Sequence, residues 1–108
     1  MTAIPTIDVH SFAQRRQTDR TIFLLDVREP HEYAHCTIEG AVLIPLGQLP
    51  NRLDEVPKDR PVVVTCHHGG RSARAVQFLL SQGLADVHNL AGGIDLWALE
   101  VDSTVPRY

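Results

Sequence analysis

The chain has 108 residues, 44% of them hydrophobic and 21% charged, a globular balance that excludes a disordered chain and supplies a core without disulfide staples. The length predicts one domain over residues 1–108, with about 101–108 as a C-terminal extension. A formal net charge of -3 and a pI near 6.0 give no basic field for a phosphate backbone, and no apolar run approaches the roughly 20 residues that span a bilayer, so neither nucleic acid nor membrane is expected as a partner.

Met1 to His10 lacks a basic stretch followed by an apolar one, so no secretory leader is read and a cytoplasmic location is expected. Ile7 begins an edge strand, and Asp8 or Ser11 caps a helix running through Gln17. Ile22 to Leu25 is an apolar run ending at Asp26, read as a buried strand. Pro30 suits the first turn of a short helix to about Ala34. A strand over Val42–Ile44 stops at Pro45, and Leu46 to Leu53 has helical spacing. Val62-Val63-Val64 runs through Thr65 into Cys66. The clearest helix begins at Ser72 and ends at Gln82, with Ala75, Val76, Leu79 and Leu80 on one face and Gly83 as its stop. Val87 to Leu90 is a further strand, and Ile94 to Leu99 a last helix presenting Leu96, Trp97 and Leu99. Continuous β-branched runs mark strands covered on both sides. The expected fold class is therefore α/β, a small central parallel sheet with helices on both faces.

The segment Thr65-Cys66-His67-His68-Gly69-Gly70-Arg71-Ser72 carries the chemistry. In open α/β sheets, reactive groups gather beyond the carboxyl ends of strands, where Cys66 stands. Gly69 and Gly70 admit backbone conformations closed to other residues, so that successive N–H groups can turn inward as an anion-binding cup. The N-terminus of the next helix adds its positive end, and Arg71 can close the rim. A thiolate is favoured there, and a persulfide more so, because its outer sulfur carries the charge toward the amides. The competing reading is a buried structural cysteine, which has no use for two glycines and an arginine in front of it. Cys36 and Cys66 form neither a CxxC pair nor a zinc set, and the scattered His10, His31, His35 and His88 have no metal spacing, so no metal and no cofactor is expected.

With these residues in view, the chain resembles the rhodanese family, and specifically its single-domain members with a CxxGxRS loop, here Cys66 to Ser72. Leu24 to Tyr33 resembles the family's first signature, Ile38 to Leu46 the hairpin-like stretch after it, and Asn89 to Ile94 with Trp97 the closing segment. Val105-Pro106-Arg107-Tyr108 resembles the ending of rhodanese domains appended to enzymes that adenylate sulfur-carrier proteins. The resemblance implies a rhodanese-like α/β fold and sulfurtransferase activity through a Cys66 persulfide, from thiosulfate or a low-molecular-weight persulfide to a thiol or cyanide. A protein thiol or a sulfur-carrier protein is a further implied partner. It also implies that His67, His68, Gly69, Gly70, Arg71 and Ser72 form the persulfide- and substrate-binding loop, and that Asp26 and Arg28 lie under or beside it as support. Many members read Gly-His-Ile where this chain has Cys36-Thr37-Ile38, so any role for a histidine there is absent.

Cys36 reads as a packing residue rather than a resolving thiol, Asp26 as a brace rather than an acid–base group, and Trp97 as core. His67 and His68 read equally well as groups that touch an acceptor and as solvent-facing loop residues. Two other functional classes stand beside sulfur transfer. One is a cysteine-dependent phosphatase or arsenate reductase on the related fold, whose loop places five residues between cysteine and arginine against four here. The other is a non-catalytic interaction domain, against which the presence of Cys66 argues.

Overall fold

Five short strands and their connections are built by the apolar runs, and the computed structural model describes residues 4–108. In chain order they are β1 (Thr6–Ile7), α1 (Val9–Thr18), β2 (Phe23–Asp26), α2 (Pro30–His35), β3 (Val42–Leu43), a 3-10 segment (Leu46–Glu55), β4 (Val62–Thr65), α3 (Gly70–Ser81), β5 (Val87–Leu90) and α4 (Gly93–Glu100). The sheet order is β1-β5-β4-β2-β3 and every pairing is parallel. β4 is the central strand, and in its register Leu24 faces Val63 and Asp26 faces Thr65. The expected parallel α/β sheet is thus present.

Alternation along the strands divides the core in two. Leu25, Val62, Val64 and Val87 pack with Leu49, Val56, Ala75, Val76 and Leu79, under the 3-10 segment and α3. Leu24, Val63 and Leu90 turn the other way to meet Val9, Phe12, Ile94, Trp97 and Ala98 of α1 and α4. A layer of helix therefore covers each face, which is why a four-residue strand such as β4 can have every side chain buried.

Several local expectations are corrected. Asp8, not Ser11, caps α1: its Oδ1 accepts from the Ser11 amide at 2.8 Å. The Leu46 segment is a 3-10 helix broken by non-helical backbone at Arg52, and it contains Pro50, whose missing N–H weakens an α-helical ladder. The stretch from Ile38 is no hairpin, because β3 runs parallel to β2 after a crossover containing α2. β3 also stops at Leu43, one residue before Ile44. In α4 the buried residues are Gly93, Ile94, Trp97 and Ala98, while Leu99 is exposed. The segment after α4 is ordered, with Val105 buried and the Arg107 guanidinium on Asp95 at 2.9 Å.

Phe12 is fully buried, with its ring centroid 5.6 Å from that of Trp97. Phe12→Ala is expected to remove about 3–5 kcal/mol of stability in urea denaturation. It should leave the chemistry of Cys66 unchanged, because Phe12 and Cys66 belong to opposite core layers.

Candidate functional site

Cys66 follows directly on central strand β4, so its backbone is placed by ladders on both sides. Its side chain is buried, and a cavity of about 350 Å³ lined by Cys66, His67, His68, Gly70, Arg71 and Arg74 opens above it. The loop is shorter than the sequence suggested, because α3 starts at Gly70 rather than Ser72. Gly69 takes φ +116°, a left-handed conformation, and reverses the chain straight into the helix. Gly70 is not used in that way: it has no positive φ, and a Cβ there would meet nothing within 4 Å. Arg71 and Ser72 are consequently first-turn helical residues.

The helix start provides the electrostatics. The first α3 turn closes with the Ala73 amide on the Gly69 carbonyl at 3.1 Å, and Gly69 has no side chain to cap the amides before it. Such N-terminal N–H groups are left without helical acceptors and carry the positive end of the dipole. The Gly69 amide donates to Cys66 Sγ at 3.0 Å. Ser72 Oγ lies 3.3 Å from the same sulfur and donates to Asn89 Oδ1 at 2.5 Å, while Asn89 Nδ2 donates to the Gly69 carbonyl at 3.2 Å. With its proton on Asn89, the Ser72 hydroxyl can accept from a Cys66 thiol. Rotated, it can donate to a thiolate.

Behind the loop, α4 holds the backbone. The Ile94 amide donates to the Cys66 carbonyl at 2.9 Å and the Asp95 amide to the His67 carbonyl at 3.1 Å. This approach requires Gly93, at φ +60°, because a Cβ there would overlap the Cys66 carbonyl oxygen and stand 2.6 Å from that of His67. With two carbonyls bound at the back, the N–H side of the loop is left for the sulfur.

Asp26, paired in the sheet with Thr65, and Arg28 form a fully buried ion pair, with Arg28 Nη2 on Asp26 Oδ2 at 2.7 Å and the Arg28 amide on Asp26 Oδ1 at 3.0 Å. Arg28 also donates to the Cys36 carbonyl at 2.7 Å and to the Tyr108 hydroxyl at 2.8 Å. Burial acts to lower the Arg28 pKa, but the hydrogen bonds it donates to Asp26 and Tyr108 outweigh this and raise it above the ordinary value. Cys36 is buried in the α1–α4 layer with its sulfur 3.9 Å from Arg28 Nη1. Arg71 does not stand free at the rim: both its Nη atoms meet the Glu32 carboxylate, at 2.6 and 2.9 Å. The Arg71 hydrogen bonds hold Glu32 well below the usual carboxylate range. The two histidine rings lie 3.9 Å apart, with His68 exposed and His67 Nε2 buried without a hydrogen-bond partner. Among the described residues, no group of three or more His, Cys, Asp or Glu side chains is placed to hold a metal ion.

Four contributors lie in stretches matched by the resemblance but carry no individual role in the sequence: Glu32, Asn89, Gly93 and Tyr108. Asn89 carried a usable signal, a buried amide in a strand otherwise apolar at its buried positions. Glu32 carried another, since it sits three residues after Glu29 in a capping box and accepts from the Glu29 amide at 3.0 Å.

The family model of the rhodanese-like domain matches residues 8–100. A protein named "Sulfurtransferase" from Allochromatium vinosum is 42% identical over 92 residues, covering 85% of this chain and 86% of its own. Thiosulfate sulfurtransferase GlpE of Stutzerimonas stutzeri is 36% identical over 74 residues, 68% of each chain. The crystal structure of a rhodanese-related protein from Thermoplasma volcanium superposes with a TM-score of 0.82 at 32% identity, covering 90% of this chain and 93% of its own.

Two outcomes test this geometry. Gly93→Ala is expected to dislodge the Cys66 loop, seen as loss of the protected Ile94 and Asp95 amides in hydrogen exchange. Glu32, with its pKa depressed in the fold, contributes stability in full above the ordinary glutamate value of 4.5 and loses it as pH falls through the folded pKa. The stability gap between wild type and Glu32→Gln, measured by urea titration, should therefore be widest above that pH and shrink below it.

Proposed function

The chain belongs to the rhodanese-like domain family, and we propose that it is a sulfurtransferase that carries sulfane sulfur as a persulfide on Cys66. The observation that carries this reading is the Cys66 sulfur at the uncapped N-terminus of α3, 3.0 Å from the Gly69 amide.

In the first half-reaction the Cys66 thiolate attacks the outer sulfur of thiosulfate. A new S–S bond forms on Cys66, the S–S bond of thiosulfate breaks, and sulfite leaves with the electron pair. In the second, an acceptor nucleophile attacks the outer sulfur of the persulfide, and Cys66 departs as the thiolate. With cyanide the product is thiocyanate, and with a thiol it is a new persulfide. The residues of the loop have distinct parts. The amides of Gly69 and of the first α3 turn stabilise negative sulfur, and Ser72 donates to it when it is charged. Arg71, with three N–H groups beyond the two given to Glu32, meets the anionic donor. His67 and His68 line the entrance. Asp26 and Arg28 support the loop and take no part in proton transfer. The small cavity favours a low-molecular-weight donor, thiosulfate or a persulfide, with a protein thiol or sulfur-carrier protein as a candidate acceptor. Residues 1–108 act as one such domain, in the cytoplasm.

The loop length separates this reading from phosphoryl transfer. Four residues stand between Cys66 and Arg71, and a phosphoryl group in so short a ring would leave oxygens facing no donor, which is costly in a closed site. Incubation with thiosulfate is expected to add one sulfur atom to the peptide containing Cys66, removable by cyanide, with parallel lines in double-reciprocal kinetics. Cys66→Ser should abolish transfer while the fold persists, and Cys36→Ser should keep most of it. Cysteine-dependent release of phosphate from an aryl phosphate, with no thiocyanate formed, would overturn the proposal.

A further inference from the structure

The side chain of Tyr108 is held by four residues around the Cys66 site although it lies 42 positions further along the chain than Cys66. Its hydroxyl accepts from Arg28 Nη1 at 2.8 Å and donates to Glu32 Oε2 at 2.8 Å. Its ring stacks on that of His67, with centroids 3.9 Å apart and planes 4° from parallel, and it meets His35 edge-on at 5.5 Å. The backbone before it is anchored by buried Val105 and by Arg107 on Asp95. Burial and the bond to Glu32 push the Tyr108 pKa up to about 12, so the hydroxyl keeps its proton at neutral pH.

The connections form an alternating line: Asp26, Arg28, the Tyr108 hydroxyl, Glu32, Arg71. Tyr108 is the neutral member between a buried cation and a carboxylate. Without the hydroxyl, Arg28 Nη1 retains only the Glu32 carbonyl at 3.4 Å and the Cys36 sulfur at 3.9 Å, and Glu32 Oε2 loses a donor. Both losses pull the Glu32 carboxylate toward Arg28 and away from Arg71, because a buried cation with an unsatisfied N–H is the costlier of the two to leave. Arg71, whose side chain is 34% exposed, then becomes an unpinned surface cation. A freely moving surface charge contributes little to recognition, whereas a fixed guanidinium contributes directed hydrogen bonds.

We propose that Tyr108 is a positioning residue for anion recognition at Cys66: its hydroxyl keeps Glu32 on Arg71, and its ring steadies His67 at the entrance. The proposal rests on the reading of Arg71 as the contact for the anionic donor, and it makes Tyr108 a determinant of which donors react. Charged and neutral reagents of nearly equal size are the means to separate it from a structural role.

The test is the rate of Cys66 alkylation by iodoacetate relative to iodoacetamide, with the Cys66 peptide quantified by mass spectrometry. It is run for wild type, Tyr108→Phe, Arg71→Ala and the double variant. Tyr108→Phe keeps the ring and the net charge, so a change in the ratio reports the hydroxyl alone. The expected result is a fall of about three- to tenfold in the ratio, the size of one directed hydrogen bond, together with a similar rise in KM for thiosulfate and a kcat within about twofold. In the Arg71→Ala background, Tyr108→Phe should have no further effect. An unchanged ratio in Tyr108→Phe overturns the proposal, as does a further fall in the double variant or an equal drop with both reagents. Failure of thiosulfate to leave sulfur on Cys66 sinks the transfer reading alone, since the alkylation ratio is read without any sulfur transfer.

Discussion

Two backbone hydrogen bonds, from the Ile94 and Asp95 amides to the Cys66 and His67 carbonyls, decide which way the peptide units of the Cys66 loop face. A loop between a strand and a helix has both donors and acceptors to place, and a sulfur anion is served only by donors. Binding the carbonyls from behind by the first turn of α4 leaves the donors in front. The condition for this is steric: the two backbones come so close at Gly93 that no side chain fits between them. β5 delivers α4 to that point because it pairs directly with β4, the strand that ends at Cys66. Cys66 and the helix that shapes its loop are thus set by one pairing in the sheet.

The other support is polar and buried. Arg28 and Asp26 are both fully inaccessible, and a charge pair so placed costs desolvation that must be recovered by good geometry and further hydrogen bonds. Arg28 has these, to Asp26, the Cys36 carbonyl and Tyr108. The pair ties the end of β2 to the end of α2, and through Tyr108 it reaches Glu32 and Arg71. Two parts of the site therefore rest on different physics. The sulfur pole depends on backbone dipoles that do not titrate. The guanidinium pole depends on a chain of ionised side chains, so it is the part sensitive to acid.

Much was legible from the residues alone, for local reasons. Apolar runs of β-branched residues specify buried strands wherever both faces are covered, and the period of Ala75, Val76 and Leu79 specifies a helix face. Gly69 after Cys66 specifies a turn, because its φ of +116° is closed to other residues. Where a local rule has two solutions, adjacent residues do not choose between them. Gly70 looked like a second special glycine and is an ordinary helical residue. The stretch after Ile38 looked hairpin-like, yet β3 lies parallel to β2, since register and direction depend on what the strand packs against.

The sequence by itself determined the strand, cysteine, glycine turn and helix of the loop, since these follow from the conformational limits of residues adjacent in the chain. Only the tertiary structure decided the partners of the loop. Arg71 has its carboxylate 39 residues away in Glu32, Ser72 its amide 17 residues away in Asn89, and Arg28 its hydroxyl 80 residues away in Tyr108. No spacing rule connects such positions, because their separation along the chain is set by intervening strands and helices. Each side chain also has several partners of suitable charge in the composition. The choice among them falls to packing, which brings one within reach and places the others elsewhere.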